Sequence, residues 1–146
     1  MTLIWLAVLG VAAAWLDLRT GRIPDWLTLG AVGLFVLIAA WQGHLGFALL
    51  GAVLPAGLLL LTALLAVTGI AGVGGGDVKY VAAVGAALGP LGGLLSLLLS
   101  LVIGLPAAVV QLHRGRPSYP FGPAVAFGSI LSALLWPIVA PALLGR

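Results

Sequence analysis

Cysteine and glutamate are both absent from this 146-residue chain, and formal charge is confined to six Lys and Arg and three Asp. Without cysteine there is no disulfide framework, no thiolate-ligated zinc site and no thiol nucleophile. The two histidines, His44 and His113, are too few to build a metal site from what remains. Soluble domains carry about a quarter charged residues. At 6% charged and 63% hydrophobic, this chain has too little polar side chain to cover a globule, so it is read as an integral membrane protein in a lipid bilayer. The net charge of +3 reflects a scarcity of acids rather than a basic surface, which excludes nucleic-acid partners.

The few charges are bunched, and the gaps between bunches are the membrane. Residues 1–16 carry none and suit one helix ending at Asp17. Residues 26–76 carry none over 51 positions, broken only by Gln42-Gly43-His44-Leu45-Gly46, and so read as two spans joined by a tight turn. Residues 80–113 contain Leu88-Gly89-Pro90-Leu91-Gly92-Gly93, where proline disfavours helix for the residue before it. That break divides a short fourth helix, about 77–88, from a full fifth; the alternative is one kinked span. Residues 121–144 make the last. The expected fold is an all-α polytopic membrane bundle of about six transmembrane helices, a single domain over 1–146. Six crossings place Arg19, Arg22, Lys79, Arg114 and Arg116 on one side, which the positive-inside rule makes cytoplasmic, with both chain ends outside. Ala12-Ala13-Ala14 offers a signal-peptidase-like site, but no basic region precedes the apolar stretch, and a first span is preferred. The Gly85/Gly89/Gly93 spacing is read as helix packing.

The three aspartates differ. Asp17 sits at the carboxyl end of the first helix, where the macrodipole disfavours a negative charge, so capping does not explain it. Its alternatives are pairing with Arg19 or Arg22 and a functional role. Asp25 follows Pro24 at the start of the second helix, a place that suits both residues structurally. Asp77 ends Gly72-Val73-Gly74-Gly75-Gly76 and opens the fourth helix, either as an ordinary N-cap or as an acid on a backbone that another chain can approach. The topology returns Asp17 and Asp77 to one rim. Two carboxylates sharing a water suffice for aspartic proteolysis, one protonated and one ionised. Ser96 and Ser100 lie in an apolar helix with no His or Lys near them in sequence, so a serine triad is excluded.

Three segments resemble the type IV prepilin peptidases. Ala14-Trp15-Leu16-Asp17 through Ile23-Pro24-Asp25 resembles their first aspartate motif, Gly74-Gly75-Gly76-Asp77-Val78-Lys79 their Gly-x-Gly-Asp-x-Lys motif, and Tyr119-Pro120-Phe121-Gly122-Pro123-Ala124 their Pro-Phe-Gly-Pro segment. The resemblance implies a membrane-embedded aspartic endopeptidase that needs no cofactor and removes the short basic leader of prepilin or pseudopilin proteins at the cytoplasmic face of the inner membrane. It makes Asp17 and Asp77 the catalytic pair, with Gly74, Gly76, Lys79 and Pro24 shaping the site. Lys79 points about 200° around the helix from Asp77 and is expected to snorkel to the interface rather than pair with it. Longer family members carry a cysteine-bearing insertion associated with methylation. This chain resembles the short, peptidase-only form of Flp-type pilus systems, and archaeal preflagellin peptidases share its logic. The competing readings are a presenilin-like or signal-peptide-peptidase-like protease and a small transporter or proton conductor using the same aspartates.

Overall fold

The computed structural model describes residues 2–21, 23–65, 75–114 and 121–144. These form five helices: α1 (Thr2–Thr20), α2 (Asp25–Trp41), α3 (Leu45–Leu65), α4 (Gly75–His113) and α5 (Gly122–Leu144). Among the described residues three helices are long and apolar enough to cross a membrane, over Leu45–Thr62, Gly75–Val110 and Gly122–Pro141; Asp25–Trp41 is apolar but shorter.

Helix ends fall where local chemistry puts them. Gly21, with φ 65°, closes α1 by donating its N–H to the Asp17 carbonyl at 2.8 Å. Pro24 precedes the first residue of α2, and the Thr28 hydroxyl folds back on the Asp25 carbonyl at 3.3 Å. At the other end of α2, Gly43 (φ 76°) donates to the Ala40 carbonyl at 3.1 Å and His44 to that of Ala39 at 2.8 Å. This is a Schellman closure built on a left-handed glycine, and it makes the tight turn read from Gln42-Gly43-His44.

The expected count of six spans is corrected to five helices. The break at 88–93 is only one residue wide: Gly89 alone, at φ 77° and ψ −179°, leaves helical geometry inside α4. It nevertheless folds α4 back on itself. A Cβ built on Gly93 would lie 2.8 Å from the Gly85 Cα, whereas eight residues of straight helix span about 12 Å. Tyr80 and Ser100 also meet neighbouring α5 residues, Ser129 and Gly128. The arm before Gly89 rises only about 21 Å, short of a hydrocarbon core of about 30 Å. Left-handed geometry and the Phe47 ring packed against Gly89 both exclude a side chain there. Gly89→Ala is therefore expected to lower the midpoint of thermal unfolding in detergent by several degrees, at a cost of about 1–2 kcal/mol.

The folded α4 is the centre of the bundle, with α3, α5 and α2 against it and α1 lying mainly on α5. Tyr80, Val84, Leu6, Leu59 and Val125 are fully buried, while Trp41, Leu37 and Ile138 face outward as a lipid-solvated surface. Lipid provides no hydrophobic drive between helices, so close backbone approach and interhelical hydrogen bonds hold them together. Pro55 has no N–H to give to the Gly51 carbonyl, and that oxygen instead abuts Gly85 of α4. The Ser132 hydroxyl reaches across from α5 to the Gly92 carbonyl at 2.9 Å.

Candidate active site

Asp17 lies in the last turn of α1 and is buried, at 6% exposed. Its own helix offers the negative end of a dipole, but α1 packs on α5, and the amino terminus of α5 supplies what α1 cannot. The Gly122 N–H, one of the amide donors with no partner inside its helix, donates to Asp17 Oδ2 at 3.0 Å. A Cβ on Gly122 would fall 2.6 Å from that oxygen. The glycine of the Pro-Phe-Gly-Pro segment is thus required by the carboxylate it faces, 105 residues away. Arg19 stacks over the Trp15 ring, 4.2 Å from its centroid.

Asp77, 8% exposed, sits in the first turn of α4. Gly76 lies against the segment that joins α1 to α2: a Cβ there would be 3.1 Å from the Ile23 carbonyl oxygen and 3.2 Å from the Ile23 Cβ. That closeness draws the amino terminus of α4 up to the end of α1. One cleft of about 510 Å³ results, lined by Asp17, Gly21, Ile23, Pro24, Asp25, Gly75, Gly76 and Asp77. The expected pair, Asp17 and Asp77, and the site-shaping Pro24 and Gly76 all border it. Gly74 lies outside the described residues, as do Arg22, Tyr119 and Pro120 of the matched segments.

Two features of the cleft were not read from the sequence. Lys79 Nζ pairs with Asp25 Oδ1 at 2.6 Å, tying α4 to α2, so Asp25 does more than open its helix. Gly122 was noted only as part of a motif, not as the donor to Asp17. Its distance along the chain hid it, and the one available signal was a glycine at a helix amino terminus in a chain with an otherwise unexplained acid. Gly122→Ala is expected to displace the Asp17 carboxylate and break this hydrogen bond. The bundle should stay folded, as circular dichroism would show.

The fold and site together define a helical membrane protein with two buried carboxylates brought to one cleft by a folded central helix. Residues 3–109 match the type IV leader peptidase family, and the chain belongs to that family. It is 37% identical over 136 residues to the prepilin leader peptidase/N-methyltransferase of Aeromonas salmonicida (strain A449), covering 86% of this chain and 46% of that protein. Against the protein of the same name from Burkholderia pseudomallei (strain K96243) it is 36% identical over 138 residues, covering 84% and 44%. For the one from Neisseria gonorrhoeae the figures are 38% over 122 residues, 79% and 42%. The chain therefore spans less than half the length of the curated relatives it matches. No solved structure gives a significant match.

Proposed function

We propose that the chain is a single transmembrane peptidase domain, an aspartic endopeptidase that cleaves the leader from prepilin-like proteins, with Asp17 and Asp77 as its catalytic pair. The observation that carries this reading is that two acids 60 residues apart in sequence are both buried yet border one cleft at the end of the bundle. Burying charge is costly without a purpose, and ionisable groups at membrane helices mark function.

Two carboxylates held near one water share a proton, because repulsion and low polarity disfavour two charges. The ionised carboxylate takes a proton from water as the water oxygen bonds to the scissile carbonyl carbon, and the protonated one donates to the carbonyl oxygen. Return of a proton to the amide nitrogen then breaks the C–N bond, leaving a carboxylic acid and a new amine. The Gly122 N–H fixes one oxygen of Asp17 throughout, and the Lys79–Asp25 pair holds the cleft wall. Arg19, Lys79 and Arg114 lie at the helix ends on the side of the cleft that Asp17 and Asp77 border, which supports a cytoplasmic cleft in the inner membrane.

The test is reconstitution of the purified chain in liposomes with a prepilin, followed by mass spectrometry of the prepilin amino terminus. A single cut releasing the leader is expected. Intact prepilins together with aspartate-dependent proton or cation flux across the same liposomes would replace the protease with a transporter.

A further inference from the structure

A second concavity lies between α1 and α2, beside the cleft. Consecutive helices usually pack on one another, but α1 rests on α5 and α2 on α4 and α3, which leaves a groove of about 270 Å³ between them. One wall is Trp5, Val8, Leu9 and Ala12 of α1, and the other runs along α2 from Trp26 and Leu27 through Gly30 and Ala31 to Leu34 and Phe35. Both walls follow helical spacing, so each is a continuous stripe along its helix. The groove is apolar from end to end.

Its lining begins close to the cleft's along both helices. Pro24 and Asp25 border the cleft, and the next two residues, Trp26 and Leu27, begin the groove. On α1 the groove starts at Ala12, about 7.5 Å along the axis from Asp17. Two to three extended residues bridge that distance. Glycine in a helix costs about 1 kcal/mol relative to alanine, and in this chain close neighbours account for it at positions such as Gly85 and Gly122 but leave open space at Gly33, Gly46 and Gly57. Gly30 is open likewise, since a Cβ there would meet nothing within 4 Å. Packing inside the chain does not call for the small residue on the groove wall. A helix from outside would, because small residues let helix backbones approach closely in lipid.

We propose that the α1–α2 groove seats an apolar helix of the substrate, the segment that continues from the scissile bond into the bilayer. This rests on the peptidase reading above. Chain that leaves the cleft along the groove enters hydrocarbon, where its backbone groups must be satisfied internally, so it is helical and apolar. The groove is about 13 Å long along α2, so about nine residues of helix would lie alongside it with one face seated. Two to three unwound residues link that helix to the bond at the aspartates. Trp26, at the junction, and Gly30, on the wall, then determine which membrane-anchored chains are cut.

The test compares two substrates of the same enzyme: a full prepilin with its membrane helix, and a soluble peptide spanning only the leader and three residues beyond the cut. Gly30→Leu is expected to lower the ratio of their kcat/KM values, full substrate over short peptide, at least tenfold. Val102→Leu, on an exposed face of α4, is expected to leave that ratio unchanged. A photoreactive residue at Leu34 should crosslink to the prepilin within the first dozen residues after the cut. An unchanged ratio for Gly30→Leu, or Leu34 crosslinks confined to lipid or to a second copy of the chain, overturns the groove proposal while the peptidase reading stands. No cleavage of either substrate by the unmodified chain overturns both.

Discussion

Asp17→Asn and Asp77→Asn are each expected to abolish leader cleavage while leaving the bundle folded. Asparagine keeps the shape of aspartate and an acceptor oxygen, so at position 17 it still meets the Gly122 N–H that now lies 3.0 Å from Oδ2. What it loses is the ability to take a proton from water or to carry one to the carbonyl. Loss of a general acid or base costs about 10²–10⁴-fold in rate. Because the two acids act on one water, the double variant should be no slower than either single one, the non-additivity of groups that work as a unit. Mass spectrometry of prepilin amino termini after co-expression reads this directly, with thermal unfolding in detergent to show that the fold persists. Asp25→Asn serves as the contrast. It removes an ion pair whose side chains are 36% (Lys79) and 64% (Asp25) exposed, and exposed pairs of this kind are worth up to about 1 kcal/mol, so turnover should fall by less than about tenfold. Cleavage that survives in both Asp17→Asn and Asp77→Asn would remove the two-carboxylate mechanism.

The largest expected effect on stability is at Gly85. A side chain there would run into the Gly51 carbonyl, and its Cβ would lie 2.9 Å from Pro55 Cγ. Neither neighbour is the end of a flexible side chain. One is backbone and the other a ring fixed inside α3, so relief requires moving a helix. Overpacking a tight contact costs about 1–3 kcal/mol, occasionally more, and Gly85→Leu should fall at or beyond the upper end, seen as loss of folded protein or a large drop in unfolding midpoint. Gly57→Leu in α3 is the matched control. Nothing lies within 4 Å of a Cβ at Gly57, and a helix-favouring residue there should change stability by no more than about 1 kcal/mol. Gly85 belongs to the first arm of α4, the arm that carries Asp77, so any folded Gly85→Leu protein should also cleave poorly.

Much of the helical architecture was legible in the chain because it depends on neighbours in sequence. The bunching of charge separated the apolar segments, since no bilayer core accepts an isolated ion cheaply. Pro24-Asp25 opened α2 and Gly43 closed it through backbone preferences that act over three or four residues. The Gly89–Pro90 break was visible for the same reason. Its consequence was not: whether a break yields two spans or one helix folded on itself depends on arm length and on what the turn packs against, here Phe47.

The candidate site divides the same way. That Asp17 lacks a local explanation could be read from its place at a helix carboxyl terminus, and that Asp77 opens a helix after glycines could be read from its neighbours. Composition, the apolar segments, the local helix ends and the motifs that place the chain in its family were determined by sequence alone, because each is a property of adjacent residues or of the solvent they require. The Gly122 donor to Asp17, the Lys79–Asp25 tie between α4 and α2, the approach of Gly76 to Ile23 and the groove between α1 and α2 were decided only by the tertiary structure. Each depends on which helix faces which, and in lipid that is set by close packing and interhelical hydrogen bonds between residues far apart in the chain.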